Sequence, residues 1–279
     1  RRHTRYPLVT GVQTCALPIL VSIDSVYDHP SKNNIRLATV SRVVEWLNKQ
    51  MVFGDYLFIN PFGKNKHLID EKFECLWPLA EGSGFNPIMW YSNFLIKKLP
   101  HLIKTDYYLI MQWDGFPINS NMWSNDFLNY EYIGGGYSVF NGGLSLRKTD
   151  VMQDLSKVND NFGSGAEDGF YSAFLDNEWN KEKNTPIKLK WDINISKRFC
   201  NFFGNNSNGS FIPAFAWHKS QYSSEQFIFE RYRDLQIFSN DELNKIKTYS
   251  LLKSIPKEFV LDNYIKEFDI NFNQNFFNY

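Results

Sequence analysis

Residues 106–147 read DYYLIMQWDGFPINSNMWSNDFLNYEYIGGGYSVFNGGLSLR, an apolar run that ends in a carboxylate and leads to paired glycines. Tyr107 to Met111 is continuously apolar and bounded by polar residues, the pattern of a strand buried on both faces in a parallel sheet. Asp114 then falls just beyond the carboxyl end of that strand. In open α/β sheets this edge is where ligands bind, because the strands stop there and the loops form a crevice. Asp114-Gly115 also suits a plain turn, and that alternative stands beside the ligand-binding one.

Working outward, Leu20 to Val26 alternates apolar and polar residues as a first strand, ending around Asp24 to Asp28. Val40, Val43, Val44, Leu47 and Met51 recur at helical spacing, so a helix over about 35–50 should cover one sheet face. Tyr56 to Ile59 forms the second strand, stopped by Asn60-Pro61. A strand, helix, strand order implies a right-handed parallel crossover. A helix over 86–99, with Trp90, Phe94 and Leu95 inward, delivers the chain to the strand before Asp114. The fold class is therefore α/β, a Rossmann-like α/β/α sandwich around a mixed, mostly parallel sheet.

Beyond Asp114, the triple glycine 134–136 reads as flexible, Leu144 to Arg147 as a short strand, and Thr149 as the cap of the next helix. Glu167-Asp168 opens a further helix with Phe170, Tyr171, Phe174 and Leu175 on its apolar face. Ser223 with Gln226 and Ser239 with Glu242 form capping boxes of two later helices. Three segments are expected: 1–19, 20–255 as the folded domain, and an Asn- and Phe-rich tail over 256–279. Residues 1–19, RRHTRYPLVTGVQTCALPI, resemble translated sequencing-adapter read-through of metagenomic reading frames and are read as non-native. Their apolar part is too short, and too interrupted by Pro18, for a signal peptide.

Composition narrows the function. The chain is 43% hydrophobic and 17% aromatic, enough for one large core. Lys plus Arg and Asp plus Glu are 30 each, so neither nucleic acid nor an anionic membrane is favoured as a partner. No run reaches the eighteen or so apolar residues of a membrane span. The 3 cysteines lack metal-ligand or CxxC spacing, which makes the cytoplasm the expected compartment, with membrane-peripheral attachment as an alternative. Asn208-Gly209-Ser210 matches a glycosylation sequon but reads as a loop.

Four polar groups sit at element ends: Asp114, Asn141 with Gly142 and Gly143, Glu167 with Asp168, and His218. Each has a bland alternative. Acids in a first helical turn suit the macrodipole, paired glycines often form bulges, and a lone histidine is often a satisfied core residue. The functional reading of the glycines is that a sugar ring can lie against bare backbone.

Taken in order, Gln112-Trp113-Asp114-Gly115-Phe116, Trp123, Phe127-Leu128, Tyr130 to Gly134, Asn141 to Arg147, Glu167-Asp168, Lys197-Arg198-Phe199 and Trp217-His218 resemble the glycosyltransferase-like family DUF5672, within the GT-A nucleotide-sugar glycosyltransferases. The resemblance covers most of Leu20 to about His218. It implies a GT-A-like fold and a hexosyltransferase-like, inverting enzyme that moves a sugar from a nucleoside-diphosphate donor to a saccharide or other hydroxyl acceptor. Asp114 resembles the last acid of the DxD motif, which holds Mn2+ or Mg2+ on the diphosphate, and His218 the late metal-binding histidine. Gln112 stands where the first acid would be, so the motif is incomplete. Gln112, Trp113, Asn141, Gly142 and Gly143 resemble the donor and acceptor site, with Asp24, Ser25 and Asn60 beside the nucleotide. Asp168, ahead of Glu167, resembles the general base. Two rival classes remain: a catalytically silent carbohydrate-binding domain of the same fold, and a metal-dependent phosphoester hydrolase.

Overall fold

The computed structural model describes residues 18–23, 40, 42–59, 74–76, 87–135, 141–158, 166–176, 187–203 and 214–219. The readings at Asp24, Ser25, Asn60, Asn208, the two capping boxes and the C-terminal tail fall outside these residues.

Four strands pair in parallel, β1 (Ile19–Ile23) between β2 (Asp55–Ile59) and β4 (Tyr107–Met111), with β3 (Glu74–Leu76) beyond β2. β7 (Asn141–Lys148) joins antiparallel to β4, and β6 (Tyr132–Gly135) antiparallel to β7. The six-stranded sheet is thus mixed, in the order β3-β2-β1-β4-β7-β6. A three-stranded sheet, β5 (Gly115–Pro117), β9 (Ala216–Lys219) and β8 (Cys200–Phe203), lies apart in hydrogen bonding.

The period-two alternation of the strands sorts their side chains onto two faces. Leu20, Phe58, Leu109 and Met111 pack with Val43, Val44 and Leu47 of helix α1 (42–47) and with Phe116 and Trp217 of the small sheet. Val21, Leu57, Tyr108 and Ile110 pack on the other face against α2 (Pro87–Asn93), α4 (Thr149–Leu155) and α5 (Glu167–Ser172). Helical layers therefore cover both faces. α6 (Ile193–Phe199) adds Phe199 to the first of these clusters, opened by Asp192, whose carboxylate accepts from the backbone N–H groups of Asn194 and Ile195.

The helix expected over 86–99 has an interruption. After α2 the chain winds as a π-helical stretch, Phe94–Lys98, before α3 (Leu99–Leu102), and Tyr171 donates its hydroxyl proton to the Leu95 carbonyl there at 3.3 Å.

Ile19, the last residue of the segment read as non-native, is the first residue of β1, only 9% exposed, and paired with Asp55 and Tyr108. Two local readings are corrected. Thr149 is the first residue of α4 and not its cap: its hydroxyl donates to the Thr105 carbonyl at 2.6 Å, while Lys148 holds the cap position. Gly134 and Gly135, read as flexible, are buried in β6, where the register with β7 shifts between them.

Candidate functional site

The turn that Asp114-Gly115 suits is present after β4. Trp113 and Asp114 form the tip of a tight turn closed by backbone bonds between Gln112 and Gly115, with N···O distances of 3.0 and 3.1 Å. The turn folds β5 back, and β5 pairs antiparallel with β9 so that Gly115 stands opposite His218. Asp114 is consequently buried, at 5% exposure, and His218 at 4%. His218 Nε2 lies 3.8 Å from Asp114 Oδ1. Two residues far apart in sequence meet because β5, which starts one residue after Asp114, pairs with the strand that carries His218.

The glycines explain how such a crowd fits. A Cβ on Gly115 would strike the His218 ring, one on Gly142 would strike the Glu167 carboxylate, and one on Gly143 would collide with Gln112 Oε1 and stand 2.6 Å from His218 Nε2. The space beside Gly142 and Gly143 is thus taken by protein side chains, where the sequence suggested room for a sugar ring. Asn141 stabilises this bend by accepting the Gly143 backbone N–H at 2.8 Å. Gln112 donates from Nε2 to the Tyr91 hydroxyl at 3.0 Å, and Trp113 packs, half-buried, against the core.

The two acids at the start of α5 differ sharply in setting. Glu167 is buried and faces Arg147, with Nη2 to Oε1 at 3.3 Å. Burial lifts its carboxyl to about 7, against the opposing pull of Arg147. Asp168 is only half-buried, and its carboxylate accepts the Gly169 N–H at 2.8 Å. Desolvation raises its pKa too, while that hydrogen bond and the nearby Arg147 and His218 act the other way. Asp168 is therefore the acid that faces solvent and sits within electrostatic reach of His218.

Arg147 is the residue that reading by sequence passed over. It is fully buried between the rings of Tyr132 and Tyr171, at 5.1 and 4.7 Å to their centroids. It also donates to Ser145 Oγ at 2.9 Å and to the Gly142 carbonyl at 3.2 Å. Burial works against its charge, but Tyr132, Tyr171, Tyr108 and Glu167 outweigh that and raise its pKa. The available signal was polar Ser145 and Arg147 alternating with Leu144 and Leu146 in one strand.

Asp114 and His218 offer one carboxylate oxygen and one imidazole nitrogen, which suits a Mn2+ or Mg2+ ion completed by phosphate oxygens and water. Among the described residues no group of three His, Cys, Asp or Glu side chains comes together as a metal site.

Residues 78–191 match the family described as Protein of unknown function (DUF5672). The match supports the family resemblance over that stretch, which is shorter than the span from Leu20 to His218 read from the sequence. No curated protein matches the chain. Among solved structures, the chain is similar to the bifunctional IspDF from Campylobacter jejuni, at 11% identity and a TM-score of 0.37, covering 56% of this chain and 47% of that one. A likeness of that size carries no argument about fold or activity. No helix among the described residues is long and apolar enough to cross a membrane.

Proposed function

We propose that the chain is a GT-A-like glycosyltransferase that moves a sugar from a nucleoside-diphosphate donor to a saccharide or other hydroxyl acceptor, with inversion and with help from a divalent cation. The observation that carries this reading is the buried Asp114–His218 pair, 3.8 Å apart at the carboxyl end of β4, with the half-buried Asp168 within electrostatic reach of His218.

Each residue then has a role. Asp114 and His218 would hold Mn2+ or Mg2+. Such an ion, when bound, offsets the negative charge that develops on a departing diphosphate. Asp168 accepts the proton of the acceptor hydroxyl as its oxygen attacks the anomeric carbon, a task that needs a carboxylate within hydrogen-bond reach. Its exposure favours it over Glu167, whose carboxylate is committed to Arg147. Trp113 and Asn141 border the donor, and the nucleotide lies over the ends of β1 and β2.

A screen of nucleotide sugars for thermal stabilisation, with and without Mn2+ or Mg2+, tests the reading. At a hundredfold excess over its dissociation constant a true donor stabilises by about 2.7 kcal/mol. No stabilisation by any nucleotide sugar, with either ion, would remove the proposal.

One observation favours a second reading. Gln112 stands where the family resemblance leads one to expect an acid, and no group of three His, Cys, Asp or Glu side chains comes together as a metal site among the described residues. A carbohydrate-binding domain without catalysis fits that deficit, and it predicts sugar binding with neither donor hydrolysis nor transfer.

A further inference from the structure

We infer that Arg147 is a positioning residue: it grips α5 at two points one turn apart and so sets the direction in which Asp168 faces. The inference rests on the reading of Asp168 as the base. α5 has six residues, and Ala166 at its cap position makes no side-chain hydrogen bond. A helix this short, with no cap of its own, takes its orientation from what it packs against. Arg147 supplies two fixed contacts. Its Nη2 donates to Glu167 Oε1 at 3.3 Å, and its guanidinium carbon lies 4.7 Å from the centroid of the Tyr171 ring. Glu167 and Tyr171 are four positions apart, hence on one face of the helix. Two contacts on one face stop the helix from rolling about its axis. Asp168, the residue after Glu167, is then held about 100° around the helix from it.

The guanidinium is itself held in place. Nε donates to Ser145 Oγ at 2.9 Å, Nη2 donates to the Gly142 carbonyl at 3.2 Å, and Ser145 Oγ donates to the same carbonyl at 3.0 Å. All of these anchors lie on β7, whose Gly143 backs onto His218, since a Cβ there would stand 2.6 Å from Nε2. One strand therefore lies against His218 and, through Arg147, fixes the helix that carries Asp168. Lysine is a poor substitute, because an ammonium lacks the planar fork that spans Ser145, Gly142 and Glu167 while stacking on a ring.

Release of nucleoside diphosphate from a panel of UDP-, GDP- and dTDP-hexoses with Mn2+, water standing in for the acceptor, tests this on the full chain. The forms compared are wild type, Arg147→Lys, Glu167→Gln and the double variant Arg147→Met with Glu167→Leu, each with its thermal melt. Replacing both members of a buried ion pair by apolar residues is often neutral or stabilising, so the double variant should melt near wild type. Its kcat should nonetheless fall by about tenfold or more, as should that of Arg147→Lys, with the KM for the donor unchanged. A purely structural Arg147 would return turnover together with melting temperature. A double variant with wild-type stability and wild-type kcat therefore overturns this inference alone. Glu167→Gln as slow as the double variant also overturns it, because the loss then belongs to the Glu167 carboxylate. If the double variant fails to fold, wild-type kcat in Arg147→Lys overturns the inference by itself. No release from any donor by wild type overturns the transferase reading and this inference with it.

Discussion

Arg147 and Glu167 form an ion pair sealed from water, 3.3 Å from Nη2 to Oε1, with Arg147 at 0% and Glu167 at 4% exposure. The same Nη2 reaches the Gly142 carbonyl at 3.2 Å, so one guanidinium ties the glycine segment of β7 to the first turn of α5. That tie gives Glu167 a structural partner and leaves Asp168 as the acid proposed for the chemistry. Breaking a buried pair by removing one partner typically costs about 3–5 kcal/mol.

The division predicts different phenotypes. Asp168→Asn should lower turnover by about 100- to 10,000-fold, the range for loss of a general base, with donor affinity nearly unchanged. Glu167→Gln should act mainly on stability. Steady-state kinetics and thermal melts of both variants check this, and a turnover loss larger in Glu167→Gln would assign the base to Glu167.

The pH dependence of stability follows from the same burial. The Glu167 carboxyl is raised from 4.5 to about 7 on folding, so the native chain holds this proton more tightly than the unfolded one. Below about pH 4.5 both states are protonated and the contribution is fully present. Between about pH 4.5 and 7 it declines as the pH rises, and above that it is lost. Melting temperatures of wild type and Glu167→Gln across this range should converge or cross as pH rises, because the variant lacks this slope. A wild-type advantage that grows from acid to neutral pH would contradict it.

Gly115 tolerates no side chain. An alanine Cβ there would lie 2.8 Å from His218 Cγ and 3.1 Å from its Cβ, and backbone pairing prevents β5 from retreating. Gly115→Ala should destabilise by about 1–3 kcal/mol, as overpacking does. An unchanged melting temperature would show that the β5–β9 pairing is loose.

At the start of the described chain, truncation through residue 17 leaves β1 whole, whereas truncation through Ile19 removes a core residue and its pairing with Asp55 and Tyr108. The longer truncation should melt several degrees below the shorter one, at about 2–4 °C per kcal/mol for a domain of this size. Equal melting temperatures would show that β1 does not need Ile19.

The parts of this fold legible in the sequence were those set by local pattern. Tyr107 to Met111 and Tyr56 to Ile59 are apolar runs with clear stops, and Val43, Val44 and Leu47 mark a helical face, so the alternating layers followed from spacing alone. Asp114 stood out because it ends a strand. Long-range pairing was not legible: nothing near His218 announces that β9 will lie against β5 and set it opposite Gly115. Arg147 was missed because a buried cation contradicts composition rules until its two tyrosine rings and Glu167 are in place. Thr149 misled because a threonine before a helix can cap it, yet a tertiary partner, the Thr105 carbonyl, claimed its hydroxyl.

The most direct test of the proposed activity is calorimetry of nucleotide-sugar binding to wild type and Asp114→Asn, each with and without Mn2+. Asp114 sits 3.8 Å from His218 at the end of β4, where one cation would bridge protein and diphosphate. The expected result is Mn2+-dependent binding in wild type that Asp114→Asn weakens together with its metal dependence. Donor affinity unchanged by the substitution, in both the presence and absence of Mn2+, would contradict the account.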